Sequence, residues 1–92
     1  MKVKVKFHAD FKKLFGDERE VELGDQVSMG DLLARLCDSE QRREMILDEV
    51  GKVKPGVMVL LQRGPRAEVV DKERTELEDG DTVAVFRAVY GG

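Results

Sequence analysis

The residues of this chain best suited to chemistry are its last two, Gly91 and Gly92, which close the sequence on a glycine carboxylate. Glycine has no Cβ, so a backbone of glycines can pass through a narrow channel and approach a reactive group closely. Glycines are also common at frayed chain ends. Two interpretations therefore stay open: a carboxylate presented to other proteins as the reactive group, or an inert end.

The glycines follow a stretch that predicts a turn and then a buried strand. Asp79-Gly80-Asp81 is typical of a tight turn, and the run from Thr82 to Phe86 is mostly apolar. We expect a domain over residues 1–86 and a flexible tail over residues 87–92. The six residues after Phe86 could span roughly 20 Å when extended, at ~3.3 Å each.

Composition limits what kind of protein this can be. Of the 92 residues, 41% are hydrophobic and 38% are charged, which favours one folded domain with a modest core. The net charge of -3 argues against nucleic acid as a partner. No apolar run is long enough to span a bilayer, and no apolar signal segment follows Met1. With Cys37 as the single cysteine, we expect a cytoplasmic protein without an internal disulfide.

Catalytic side chains are otherwise few. His8 falls among lysines on the outward side of a predicted strand, and Cys37 falls on the apolar side of a predicted helix, where a thiol is usually inert. The sequence has no Cys-x-x-Cys, no His-Glu-x-x-His and no glycine-rich loop for ATP. We therefore predict no metal site and no bound cofactor. The acidic turn residues Asp79 and Asp81 are expected to be solvated.

Hydrophobic periodicity predicts a sheet. Val3, Val5 and Phe7 alternate with lysines, which is typical of a half-buried strand. The lysine row on the other side of this strand is either a docking surface for an acidic partner or a solvated face. Further strands are predicted at four places, the first of them antiparallel to the opening strand: residues 20–23, 57–61, 67–70 and 82–86.

One main helix is predicted to cover this sheet. Ser28 is a favourable N-cap, and Asp31 three residues later completes a variant of the capping box. The residues from Leu32 to Cys37 place their apolar members on one side. Residues 40–48 predict either a second short helix or a kinked continuation of the first. Strands and a helix in this order predict an α+β fold, with a mixed sheet of four to five strands.

Two of the predicted strands are apolar at consecutive positions, which is typical of strands covered on both faces. One helix covers only one face. Either Met58, Leu60, Ala84 and Phe86 or the opposite set then forms an apolar patch for a partner, or the loop over residues 63–76 covers that face.

The order of these segments resembles a known family. Asp79-Gly80-Asp81 with its following strand, and the terminal Gly91-Gly92, resemble the ubiquitin-like sulfur carriers of the MoaD/ThiS type. Residues 3–7, 27–36 and 57–61 resemble the first strand, the opening of the main helix and the third strand of that family. The resemblance covers nearly the whole chain, is nearest to the small subunit of molybdopterin synthase, and implies a β-grasp fold.

The resemblance also implies a function for the tail. An ATP-using enzyme related to the ubiquitin-activating enzyme would adenylate Gly92, and sulfur would convert it to a thiocarboxylate, while Gly91 would ease passage through a partner's channel. The large subunit of molybdopterin synthase would receive the tail, which makes this chain a co-substrate with no cofactor of its own. The residues expected to contact partners are Met58, Leu60, Phe86, Arg87, Ala88, Val89 and Tyr90.

Other members of such a family serve thiamine or cysteine synthesis or tRNA thiolation, and some are attached to lysines of target proteins as modifiers. The chain departs from the molybdopterin branch at Arg87-Ala88, where proline is frequent, and at Tyr90, where a smaller residue is more usual. A third interpretation is a β-grasp binding module whose terminus is inert.

Overall fold

The computed structural model describes residues 1–88. Their five strands form one mixed sheet in the order β2-β1-β5-β3-β4. The strands are β1 (Lys2–Phe7), β2 (Glu18–Glu22), β3 (Val57–Arg63), β4 (Arg66–Val69) and β5 (Thr82–Arg87). A single 3₁₀ turn (Ala9–Phe11) leads into α1 (Lys12–Phe15), and the two remaining helices are α2 (Met29–Leu36) and α3 (Glu40–Ile46).

In this sheet β1 and β5 are parallel, and the other three neighbouring pairs are antiparallel. β1 pairs with β5 in the register Lys4 with Thr82 and Phe7 with Val85. β2 is antiparallel to β1, as predicted, and β4 is a short edge strand. Because β1 and β5 run in the same direction, their carboxyl ends lie side by side, and the start of the antiparallel β3 lies next to the end of β5.

The core lies between one face of the sheet and the helices. Val3, Val5 and Phe7 are at most 1% exposed, as period-two alternation requires for the inner face of a strand. They belong to the same buried cluster as Leu32 and Leu33 of α2. The predicted α+β arrangement is therefore confirmed.

The start of α2 is capped as predicted, and α3 is capped in a similar way. The N–H of Asp31 donates to Ser28 Oγ at 3.2 Å, and the N–H of Ser28 donates to Asp31 Oδ2 at 3.1 Å, which completes the capping box. Ser39 caps α3 in turn, since its hydroxyl oxygen accepts the N–H of Arg42 at 3.2 Å. α3 is thus a separate helix and not a continuation of α2.

Within residues 1–88, no helix is long and apolar enough to cross a membrane. The same part of the chain holds no group of three or more His, Cys, Asp or Glu side chains that could bind a metal ion.

Candidate functional site: the base of the tail and the open sheet face

The predicted site divides into two parts. Val89, Tyr90, Gly91 and Gly92 lie outside the described residues, so their roles stay predictions. The structure describes the base of the tail, at Arg87 and Ala88, and the face of the sheet beside it.

The chain stays attached to the sheet as far as Ala88. β5 includes Arg87, which pairs with Val57 at the start of β3. The N–H of Ala88 then donates to the carbonyl oxygen of Gly56 at 2.8 Å. The strand therefore extends one residue beyond Phe86, where we placed the domain boundary; the division into a domain and a flexible tail remains a prediction.

The side chain of Arg87 is held by its own domain. Its Nε donates to Asp10 Oδ1 at 2.8 Å, and its guanidinium carbon lies 4.8 Å from the centroid of the Phe11 ring. The hydrogen bond from Arg87 lowers the pKa of Asp10 below the usual value for a carboxyl group. The same contact raises the pKa of Arg87. The predicted contact between Arg87 and a partner stays a prediction.

The apolar patch lies on the face of the sheet opposite the helices. Met58 pairs with Phe86 and Leu60 pairs with Ala84, and all four side chains are half-buried. Their neighbours on the inner face are buried: Val57, Val59, Leu61, Val83 and Val85. The patch is therefore formed by the first of the two sets that the sequence allowed.

The loop that could have covered this patch is held, in part, on the helix side. The N–H of Met29 donates to the carbonyl of Thr75 at 2.7 Å, and the N–H of Gly30 donates to that of Glu73 at 3.1 Å. Both donors belong to the first turn of α2. This segment of the loop therefore packs beside the helix that covers the inner face.

Charged rows continue the open face beyond the patch. Lys4 and Lys6 of β1 lie next to Thr82 and Ala84 of β5. On their other side, the lysines face a row of glutamates on β2, and Lys2 Nζ lies 3.9 Å from Glu22 Oε1. The face is thus acidic at one edge, basic in the middle and apolar towards β3. The paired residues of the two charged rows are Lys2 with Glu22, Lys4 with Glu20 and Lys6 with Glu18.

Neither of the two side chains that we considered for chemistry is one of the four patch residues. His8 is exposed just after β1. Cys37 is half-buried at the end of α2, where burial raises the pKa of its thiol. A raised pKa leaves less thiolate at neutral pH and so favours the inert interpretation.

The expectation that Asp81 is solvated was wrong. Its side chain is 1% exposed and forms a bidentate ion pair with Arg63. The only signal in the sequence was its position directly before a buried strand. Its partner lies 18 residues away, and only the pairing of β3 with β5 brings the two together.

A mixed five-stranded sheet with helices on one face and a C-terminal strand that leads into a glycine tail defines a ubiquitin-like β-grasp protein. The family model of the ThiS family matches residues 5–92. The chain belongs to this family, and with it to the ubiquitin-like sulfur carriers and modifiers, as the resemblance predicted.

Similar proteins support the fold and the family. Small archaeal modifier protein 3 of Haloferax volcanii is 34% identical over 93 residues, which span all of both chains. The crystal structure of SAMP1 from Haloferax volcanii superposes with a TM-score of 0.81 at 23% identity over the full length of both chains, which confirms the β-grasp fold. A putative molybdopterin converting factor, subunit 1, from Pyrococcus furiosus has a TM-score of 0.66 at 28% identity, covering 97% of this chain and 99% of that one.

Proposed function

We propose that this chain is a sulfur carrier that works through the carboxylate of Gly92. Membership of the ThiS family supports this function. The observation that links this function to particular residues of the chain is that the apolar patch is continuous with the base of the tail. Phe86 belongs to the patch, and β5 ends at the next residue, Arg87.

The chemistry requires activation because a free carboxylate would have to expel oxide. The carboxylate of Gly92 attacks the α-phosphorus of ATP, an acyl–O–P bond forms, and pyrophosphate leaves. Hydrosulfide then attacks the acyl carbon, and the bond from that carbon to the AMP oxygen breaks with its electron pair. AMP and a proton are released, and a thiocarboxylate remains on Gly92. ATP belongs to the activating enzyme, so this chain needs no cofactor of its own.

The open face supplies the docking surface in this proposal. A partner that covers Met58, Leu60 and Phe86 removes a contiguous apolar area from water, and contact areas of this kind are common in protein interfaces. Ala84, which pairs with Leu60, completes the same patch. Such a partner lies beside the point where the tail leaves the sheet, so its channel can take up Ala88, Val89, Tyr90 and Gly91.

The first destination that we propose for the sulfur is molybdopterin synthesis. The tail enters the large subunit of molybdopterin synthase and transfers sulfur to the pterin precursor. The likeness to the Pyrococcus furiosus protein, at 28% identity over nearly the full length of both chains, favours this destination.

The second candidate is attachment to lysines of target proteins. The higher identity to small archaeal modifier protein 3, 34% over all of both chains, favours this function. Both candidates use an activated Gly92 and differ in the nucleophile that attacks its acyl carbon. This nucleophile is hydrosulfide in the first candidate, before sulfur passes to the pterin precursor, and a lysine amine in the second. Thiamine synthesis, cysteine synthesis and tRNA thiolation are further acceptor pathways for the same chemistry.

The intact mass of the protein tests the proposal. The wild-type chain is incubated with extract of the host, ATP and sulfide, and compared with a variant that lacks Gly92. Replacing one terminal oxygen by sulfur adds about 16 Da, the same increment as methionine oxidation, so fragmentation must place it on Gly92. An increment on Gly92 that needs ATP is expected; a wild-type terminus that stays unchanged would refute the proposal.

A second measurement separates the two candidates. Loss of sulfur from the tail that depends on the pterin precursor supports molybdopterin synthesis. A ladder of isopeptide-linked proteins in cells, absent when Gly92 is deleted, supports the modifier function.

A further inference from the structure

The direction in which the tail leaves the domain is set at Arg87 and Ala88. Four residues follow Ala88, and at ~3.3 Å each they can reach at most roughly 13 Å. The position of Gly92 relative to the docked face therefore depends strongly on how firmly the chain is held at this point.

One side of the tail base is formed by the 3₁₀ turn after β1. The parallel pairing of β1 with β5 brings this turn next to Arg87, and the N–H of His8 donates to the carbonyl of Val85 at 3.1 Å. Asp10 then accepts the hydrogen bond from Arg87, and the fully buried ring of Phe11 lies under the guanidinium group.

The backbone of this turn is strained. Ala9 has a φ of 56°, a left-handed conformation that residues with a Cβ rarely adopt. Such a conformation persists only where surrounding contacts hold it. Here it lies directly before Asp10 and Phe11, the two residues that bind the Arg87 side chain.

The other side of the tail base is the loop before β3. Gly56 accepts the N–H of Ala88, and Lys72 holds the loop in place. Its Nζ donates to the carbonyl oxygens of Lys54 and Val57 at 2.7 and 2.8 Å. Contacts from two different loops therefore fix two consecutive residues at the end of β5.

We propose that Arg87, bound to Asp10 and Phe11, is a positioning residue that directs the tail towards the active site of the activating enzyme. This inference rests on the proposed function of Gly92. Arg87 lies on the inner side of β5, with Val83 and Val85, and so stands apart from the docking patch. Arg87 therefore affects how firmly the base of the tail is held, and it does not affect docking.

The exposure of the pair agrees with a local role. The side chains of Arg87 and Asp10 are 41% and 47% exposed, and exposed ion pairs contribute little to global stability. Losing the contact instead frees the backbone at the tail base. Ordering one residue again in the reactive complex carries an entropic cost equivalent to a factor of roughly five to thirty.

The test compares Arg87→Ala and Asp10→Ala with Lys12→Ala. The control removes the cation of an exposed ion pair near the same turn, in which Lys12 Nζ lies 3.8 Å from Asp17 Oδ1. The rate at which the activating enzyme adenylates Gly92 is measured as the release of pyrophosphate. Both variants should lower kcat by about tenfold, since tail order is lost, while KM for this chain stays unchanged because the patch is intact. The control should match the wild type.

Two further readouts separate positioning from loss of structure. Hydrogen exchange of the Ala88 amide should accelerate in Arg87→Ala, while exchange of the Val83 and Val85 amides stays as in the wild type. A double variant that swaps the two charges, Asp10→Arg with Arg87→Asp, should recover most of the lost kcat.

Unchanged kcat in both single variants, or equal acceleration of exchange at Ala88 and Val85, would overturn the inference. No pyrophosphate release by the wild type would refute the proposed function, and the positioning role with it. These failures are distinguishable, because only the second appears in the wild type.

Discussion

The Arg63 guanidinium and the Asp81 carboxylate form a bidentate ion pair, with Nε to Oδ1 and Nη2 to Oδ2 both at 2.8 Å. The pair joins the end of β3 to the residue before β5. Asp81 Oδ2 also accepts the N–H of Glu78 at 2.8 Å, and this hydrogen bond closes the turn from Glu78 to Asp81. The contact therefore fixes the start of the strand whose other end carries the tail.

This ion pair should make stability depend on pH. Burial of the Asp81 carboxyl opposes its ionisation, but the hydrogen bonds from Arg63 and Glu78 outweigh burial and lower its pKa below the ordinary 3.8. A lowered folded-state pKa adds stability that is complete above 3.8 and disappears as the pH falls through the folded-state value. Asp81→Asn should cost about 1.5–3 kcal/mol of unfolding free energy at pH 7. The difference in unfolding free energy from wild type should shrink as the pH falls below 3.8.

Urea unfolding between pH 7 and pH 2 measures this difference directly. Asp25→Asn is the matched control, since Asp25 is an exposed carboxyl outside the strands. A difference between wild type and Asp81→Asn that is the same at pH 7 and pH 2 would show that ionisation of Asp81 does not contribute.

Gly30 should resist replacement although it lies in a helix. Alanine is the better helix former by about 1 kcal/mol. A Cβ on Gly30, however, would lie 3.0 Å from the carbonyl oxygen of Glu73 and 3.3 Å from its Cα, both backbone atoms. Gly30→Ala should therefore lower the free energy of unfolding by about 1–3 kcal/mol, as overpacking does.

Gly24→Ala is the control for this change in urea unfolding. A Cβ at Gly24 meets no atom within 4 Å, so its unfolding free energy should stay within about 0.5 kcal/mol of wild type. A stabilised Gly30→Ala variant would mean that the loop at Glu73 moves freely away from α2.

Phe86 should matter more for binding than for folding. Its side chain is half-buried on the open face, whereas Phe7 is 1% exposed in the core. Phe7→Ala should cost ~3–5 kcal/mol of unfolding free energy, the range for a buried phenylalanine, and Phe86→Ala only about 1–2 kcal/mol.

Binding of Phe86→Ala to the activating enzyme is measured by titration calorimetry. The dissociation constant should rise by more than about tenfold, as for an anchor at the centre of an interface. Val50→Ala removes an apolar side chain that is 79% exposed and lies outside the sheet, and it should change neither affinity nor stability. Equal affinities for wild type and Phe86→Ala would exclude the open face as the docking surface.

Much of the fold was predictable because its signals are local. Alternation at Val3, Val5 and Phe7 predicted the buried side of β1, and Ser28 with Asp31 predicted the start of α2. Both depend on contacts between residues a few positions apart, so they can be read from short segments. The apolar residues of β3 and β5 likewise predicted a second face that the helix does not cover.

The candidate site was predictable only in part. The sequence pointed to Met58, Leu60, Ala84 and Phe86 as one possible patch but left the opposite set equally possible. Packing of the helices decided between them, because it buries the inner set of Val57, Val59, Leu61, Val83 and Val85 and leaves the other face open. The roles predicted for the final glycines belong to residues outside the described part of the chain.

By itself, the sequence determined the elements, their caps and the family to which the chain belongs. Tertiary structure alone decided which distant residues meet: Asp81 with Arg63, and Arg87 with Asp10, 77 positions apart. The physical reason is that strand order is a non-local property. Parallel pairing of β1 with β5 brings the first turn of the chain to the base of its tail, and no periodicity within either strand specifies that neighbour.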